Sequence, residues 1–189
     1  MEVKLKDLIL TVDSFLTSEQ VGAIIRTYKK RKFSPTHVAG KDGSRVIDTN
    51  TRNVTEFSIV RNEKSMTDIH LCNFLIAKIR DLSHMYCNRY TVYERPQKVE
   101  TIDMLRYEKG GYYTKHIDDG PDTPRTLSVI IFLNNDYKGG DIEFNFLNSS
   151  LKIEPGAGKA IIWPSNFLFP HRVLKVEEGI RYALVSWLR

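Results

Sequence analysis

From Val99 onward the chain breaks into short runs rich in β-branched and aromatic residues, separated by glycines and polar turns. The runs fall at roughly 100–107, 112–117, 126–134, 141–146, 158–163, 168–174 and 180–188. Each is too short for a typical helix, and so many closely spaced strands must cover one another's apolar faces. The pattern predicts a mainly β fold, a double-stranded β-helix or jelly-roll barrel, although strand spacing alone also fits another β-sandwich. The first half reads differently. Thr17 and Gln20 form a capping-box pattern ahead of Val21, Ile24, Ile25 and Tyr28, which recur at helical spacing. A second helix is predicted over about Thr67 to Tyr86, where Leu71, Leu75, Ile79, Leu82 and Tyr86 make one apolar stripe. Both helices are expected to brace one sheet from outside. With 189 residues, 41% of them hydrophobic, the chain fits one domain, a helical support over about 1–90 and a barrel core over about 91–189.

Between the helices, Lys41 to Asn53 is polar and turn-rich, which predicts a mobile loop, a candidate lid, beside a strand at about Glu56 to Arg61. The net charge of +5 comes from scattered Lys and Arg interspersed with acids. Only Lys29-Lys30-Arg31-Lys32 forms a run, and its place at a helix C-terminus accounts for it without a nucleic-acid partner. Met1 to Leu10 alternates charged and apolar residues, and no stretch approaches a membrane span. Cys72 and Cys87 fall in one predicted helix about 22 Å apart along its axis, too far to bridge. These features together read as a cytoplasmic protein with no membrane partner.

The chemistry concentrates in the second half. His116-Ile117-Asp118 places an imidazole and a carboxylate at i and i+2, on one face of a strand, a triplet that by itself also arises by chance. His171 at the start of a later strand completes two imidazoles and one carboxylate, the facial set that leaves iron coordination positions open. Read alone, His171 is equally a loop histidine on the surface. His37, His70 and His84 lack an acidic residue at such spacing and read as structural or solvated. Arg181 alternates with Ala183, Val185 and Trp187 on what should be an interior face. A buried guanidinium requires an anion, either the distal carboxylate of a dicarboxylate ligand or a distant Asp or Glu.

Taken in order, these pieces carry a family resemblance over Val99 to Arg189. They are Arg106-Tyr107, Gly110-Gly111-Tyr112-Tyr113, His116-Ile117-Asp118, Arg125-Thr126-Leu127-Ser128, Phe132-Leu133-Asn134 and Tyr137 to Phe144. Trp163-Pro164-Ser165, His171-Arg172-Val173, Val176, Gly179, Arg181 and Trp187 follow. The stretch resembles the catalytic domain of prolyl 4-hydroxylase-type Fe(II)/2-oxoglutarate-dependent dioxygenases. The resemblance implies Fe(II) on His116, Asp118 and His171, and Arg181 on the far carboxylate of 2-oxoglutarate. It further implies Tyr107 and Ser128 in the co-substrate pocket, and Tyr113 and Arg125 at the mouth as substrate contacts, for which a rim aromatic and a solvated arginine are the plain alternatives. Phe132 departs from relatives that carry a tyrosine there, which leaves the finer co-substrate contacts open.

The implied reaction couples oxidative decarboxylation of 2-oxoglutarate by O2, giving succinate and CO2, to hydroxylation of a substrate, with ascorbate as a candidate reductant. A peptidyl proline is the implied substrate, with a free amino acid or another side chain as alternatives. The partner is then a peptide, a protein or a small molecule. Val129, Ile131, Val185 and Trp187 are candidates for the dry wall of the site. A non-catalytic, cupin-like metal-binding module is the alternative of another class. Nucleic-acid demethylases on similar barrels place a second arginine where this chain has Trp187.

Overall fold

The structure is a computed structural model that describes residues 4–39, 44–62, 64–121 and 123–189. A short 3-10 turn at Leu5–Leu8 leads into β1 (Leu10–Val12) and α1 (Ser18–Tyr28). Short strands β2 (Ser34–Pro35), β3 (Val38–Ala39), β4 (Arg45–Val46), β5 (Arg52–Asn53) and β6 (Thr55–Ser58) precede α2 (Met66–Arg89). Then come β7 (Val99–Tyr107), β8 (Tyr112–His116), β9 (Leu127–Phe132), β10 (Lys138–Gly139) and β11 (Ile142–Phe146). The chain continues through β12 (Ser149–Ile153), β13 (Ala160–Pro164), β14 (His171–Val173), β15 (Val176–Glu178) and β16 (Arg181–Leu188).

Two antiparallel sheets face each other, in the orders β1-β13-β9-β16-β7-β6-β2 and β12-β11-β14-β8-β5. The chain crosses repeatedly between them after β7, β8, β9, β12, β13 and β14, which is the jelly-roll arrangement expected from the strand spacing. The helices start where the sequence signals them. Thr17 Oγ1 accepts from the Gln20 amide and Gln20 Oε1 accepts from the Thr17 amide, a closed capping box at the start of α1. Ser65 caps α2 by accepting from the Asp68 amide, and Arg31 just past the end of α1 donates to both Asp68 oxygens at 2.8 and 3.0 Å. Part of the basic run thus ties one helix to the next.

The core has two layers. Ile24 and Tyr28 of α1 and Leu75, Ile79 and Leu82 of α2 pack on the outer face of the larger sheet, against Ile102, Met104, Val129, Ile131 and Leu184. Leu105, Ile130, Phe132, Phe144, Trp163 and Val185 fill the space between the sheets. Val129 and Ile131 therefore face the helices and do not wall the barrel interior, contrary to the sequence reading, whereas Val185 and Trp187 do lie on the inner side. All six residues of β9 are buried, because the strand is covered on both faces, so its sequence has no alternation to reveal which side is inward.

Residues 40–43 and 1–3 lie outside the described residues, so the predicted loop from Lys41 and the N-terminal stretch from Met1 are covered only in part. From residue 44 the predicted loop contains β4, a turn in which Asp48 accepts from the Asn50 amide and the Thr51 hydroxyl, and β5, which pairs Arg52 with Tyr113 of β8. That part is a sheet edge. Cys72 and Cys87 are buried on α2 and form no disulfide. Among the described residues no helix is long and apolar enough to cross a membrane.

Candidate metal centre

Strand pairing delivers the two imidazoles. β14 lies beside β8 in the smaller sheet with His171 directly opposite His116, so the third ligand comes from the adjacent strand and not from across the barrel. β8 ends at His116, and the bend that follows carries Asp118 back toward both rings while Ile117 points to solvent at 42% exposure. The Asp118 oxygens lie 3.6 Å from His116 Nε2 and 3.6 Å from His171 Nε2. The three donors fall within 4.8 Å of one another, close enough for one ion with bonds of roughly 2 Å.

Each ring is oriented by its own strand. His116 Nδ1 meets the Thr114 carbonyl at 2.8 Å and His171 Nδ1 meets the Phe169 carbonyl at 3.1 Å. A carbonyl only accepts, so both Nδ1 atoms carry the hydrogen and both Nε2 lone pairs remain available for a metal. Burial pushes the His171 imidazole down to about 4, with the Asp118 carboxylate offsetting part of the effect, so this ring is neutral at pH 7. Burial acts to raise the Asp118 carboxyl, but His171, His116 and the Ser128 hydrogen bond together hold it well below the usual carboxylate range. A neutral imidazole beside a carboxylate is the protonation state a divalent ion requires.

Around the donors the site is rigid and largely dry. Tyr113 stacks on His116 with centroids 3.5 Å apart, and Trp163 meets His171 edge-on at 5.1 Å. Ser128 Oγ donates to Asp118 Oδ2 at 2.7 Å and also contacts Ser165 Oγ at 2.8 Å. Ser128 therefore orients a metal-competent carboxylate from the opposite sheet, a contact that depends on three-dimensional register and has no local sequence signal. Ser128→Ala is expected to lower divalent-metal affinity about 10- to 100-fold while the melting temperature of the metal-free protein changes little, as a metal titration and a thermal melt would read.

Arg125 is clamped. Its guanidinium donates to Glu100 at 2.8 Å and to the Asp118 carbonyl at 3.2 Å, and lies 3.7 Å from the centroid of the Trp187 ring. It is not a solvated arginine, since Glu100 engages two of its nitrogens and the third holds the backbone of the candidate ligand loop. Tyr113 is half-buried, with the Arg52 guanidinium 4.6 Å from its ring centroid.

Arg181 is the second unusual feature. Its residue is 0% exposed, and it lies opposite Tyr107 in the β16–β7 pairing. The guanidinium stacks near Tyr107 at 4.8 Å and Phe132 at 5.4 Å, but Nε, Nη1 and Nη2 have no hydrogen-bond partner among the described residues. Among the described residues no acidic side chain fills the role of structural partner. The donors of a buried guanidinium fit the carboxylate end of a small dianionic ligand, and the two imidazoles with Asp118 fit a divalent ion.

A family model described as the 2OG-Fe(II) oxygenase superfamily matches residues 102–189, the segment that contains His116, Asp118, His171 and Arg181. A PKHD-type hydroxylase of Prochlorococcus marinus (strain NATL2A) is 27% identical over 181 residues, covering 93% of this chain and 76% of that protein. A PKHD-type hydroxylase of Synechococcus sp. (strain CC9902) is 34% identical over 96 residues, 49% of this chain and 42% of the relative. Among solved structures, a Trichoplax adhaerens prolyl hydroxylase in complex with a hypoxia inducible factor oxygen degradation domain peptide fragment gives a TM-score of 0.76. It is 20% identical, with 95% of this chain and 82% of that chain covered. A Pseudomonas putida prolyl-4-hydroxylase gives 0.75 at 20% identity, with 98% and 96% covered. At that identity the structural likeness establishes the shared jelly-roll fold.

Proposed function

We propose that the chain is a member of the 2OG-Fe(II) oxygenase superfamily and, within it, a 2-oxoglutarate-dependent hydroxylase acting on a peptidyl proline. The observation that carries the reading is the coexistence, in one barrel, of a His116, Asp118 and His171 donor set and a buried guanidinium with no protein anion among the described residues. A cupin-like metal-storing module has use for the first and none for the second. Bound Fe(II) with O2 and 2-oxoglutarate supplies the oxidising chemistry, and the co-substrate leaves as succinate and CO2. The chain's own part is positional. His116, Asp118 and His171 hold the metal, Arg181 orients the co-substrate by its far carboxylate, and the rings of Tyr113, Trp163, Phe144 and Phe132 exclude water.

The proline assignment rests on the resemblance of the motifs and on the peptide-bound hydroxylase among the structural neighbours. Tyr113, stacked on the candidate ligand His116, is the side chain we assign to meet such a substrate. A free amino acid or another protein side chain is the alternative substrate within the same reaction. The test is succinate release from 2-oxoglutarate with Fe(II) and ascorbate, run alongside a mass-spectrometric screen of peptides and amino acids. A gain of one oxygen on proline, dependent on 2-oxoglutarate, is the expected result. A gain on a free amino acid or another side chain moves the substrate assignment, and no succinate with any candidate returns the protein to the class of metal-binding modules.

A further inference from the structure

Tyr137 sits in the turn before β10, 44 residues from Arg181 in sequence, yet the two meet at one point in the fold. That point is Gly140, whose φ is +69°. A Cβ there would lie 3.0 Å from Arg181 Cδ and 3.3 Å from Tyr137 Cε2, so the phenol ring and the arginine stem both border the space that a side chain at this position would take. Gly179, at φ +78°, receives the other side of Tyr137, since a Cβ at that position would come within 3.1 Å of Tyr137 Cβ. Two left-handed glycines thus flank this residue, and one of them also borders the Arg181 stem.

The Tyr137 hydroxyl is buried and, like all three Arg181 nitrogens, has no hydrogen-bond partner among the described residues. Burial pushes its phenol up, while the Arg181 charge and a close approach of the guanidinium to the phenol oxygen oppose that shift, an approach that falls short of full hydrogen-bond geometry and leaves the hydroxyl hydrogen uncommitted. At neutral pH the phenol therefore keeps its proton and is a donor. Tyr107 and Phe132 supply ring surfaces to the same guanidinium, and Phe132 has no hydroxyl to offer. One cation and one neutral donor, both buried and both unsatisfied, are complementary to a single carboxylate.

We propose that Tyr137 is a second binding residue for the far carboxylate of the dicarboxylate co-substrate, donating its hydroxyl hydrogen to one oxygen while Arg181 holds the group. The proposal rests on the co-substrate reading of Arg181. It also makes Tyr137 a specificity residue, because its contribution exists only for a 2-oxoacid that carries the distal carboxylate.

The test is calorimetric titration of the Mn(II)-loaded full chain with 2-oxoglutarate and with 2-oxobutyrate, for wild type and Tyr137→Phe. Loss of a hydrogen bond to a charged group should weaken 2-oxoglutarate about tenfold or more, and leave 2-oxobutyrate unchanged within about twofold. Unchanged affinity for 2-oxoglutarate, or an equal loss for both acids, overturns the role of Tyr137. A wild type with no preference for 2-oxoglutarate over 2-oxobutyrate instead overturns the co-substrate reading of Arg181, and the two failures are thus distinct. Should Tyr137→Phe fold poorly, Tyr137→Leu, which removes the hydroxyl with a smaller side chain, is titrated in its place under the same criteria.

Discussion

His171→Ala should abolish succinate release and weaken binding of a divalent metal by more than 100-fold. Among the described residues three protein donors converge here, and loss of one leaves His116 and Asp118. Disturbing the groups that merely orient ligands already costs 10- to 100-fold, so deleting a ligand must exceed that range. The fold should survive. His171 is 97% buried, being 3% exposed, but its ring is held by one carbonyl and by aromatic edges, and the backbone pairing of β14 with β8 does not involve the side chain. His116→Ala and Asp118→Ala should behave alike. Metal titration and succinate release decide the matter together, and near-normal turnover in any of the three variants removes that residue from the metal centre.

The parts legible in the sequence were those encoded locally. The Thr17 and Gln20 box marks a real helix start because its two hydrogen bonds span only three residues. The alternation Arg181, Ala183, Val185, Trp187 gave the inward face of β16 correctly because its outward residues include the partly exposed Tyr182, so the strand's polarity marks it. Where both faces of a strand are covered, as in β9, the same reasoning turned Val129 and Ile131 the wrong way. β12 was missed for the opposite reason. It is an edge strand whose Ser149, Ser150 and Lys152 are exposed, so it lacks the apolar signal of a buried strand. Contacts made across long separations left no trace at all. Ser128 on Asp118, Arg125 on Glu100 and Tyr137 beside Arg181 each depend on register between distant segments, and no spacing rule along the chain anticipates them.

Arg181→Met is the substitution that best separates a ligand-binding arginine from a structural one. Breaking a structural buried ion pair costs about 3 to 5 kcal/mol, because the abandoned acid remains buried and uncompensated. Here no acid is abandoned, since the Arg181 nitrogens have no protein partner among the described residues. What the ligand-free protein loses is the stacking of the guanidinium on Tyr107 and Phe132, of order 1 kcal/mol, and what it gains is relief from an unsatisfied buried charge. Methionine keeps an unbranched apolar stem against the same rings. The ligand-free variant should therefore melt at or above the wild-type temperature. Its response to 2-oxoglutarate should nevertheless collapse, because a charge-assisted pair in a dry pocket is worth about 2 to 5 kcal/mol, or roughly thirtyfold or more in affinity. The wild type should show a rise in melting temperature with 2-oxoglutarate and the variant almost none at the same concentration. A Met variant that unfolds more easily by several kcal/mol would show that Arg181 supports the fold through an ion pair. One that keeps the 2-oxoglutarate shift would show that the co-substrate is held elsewhere.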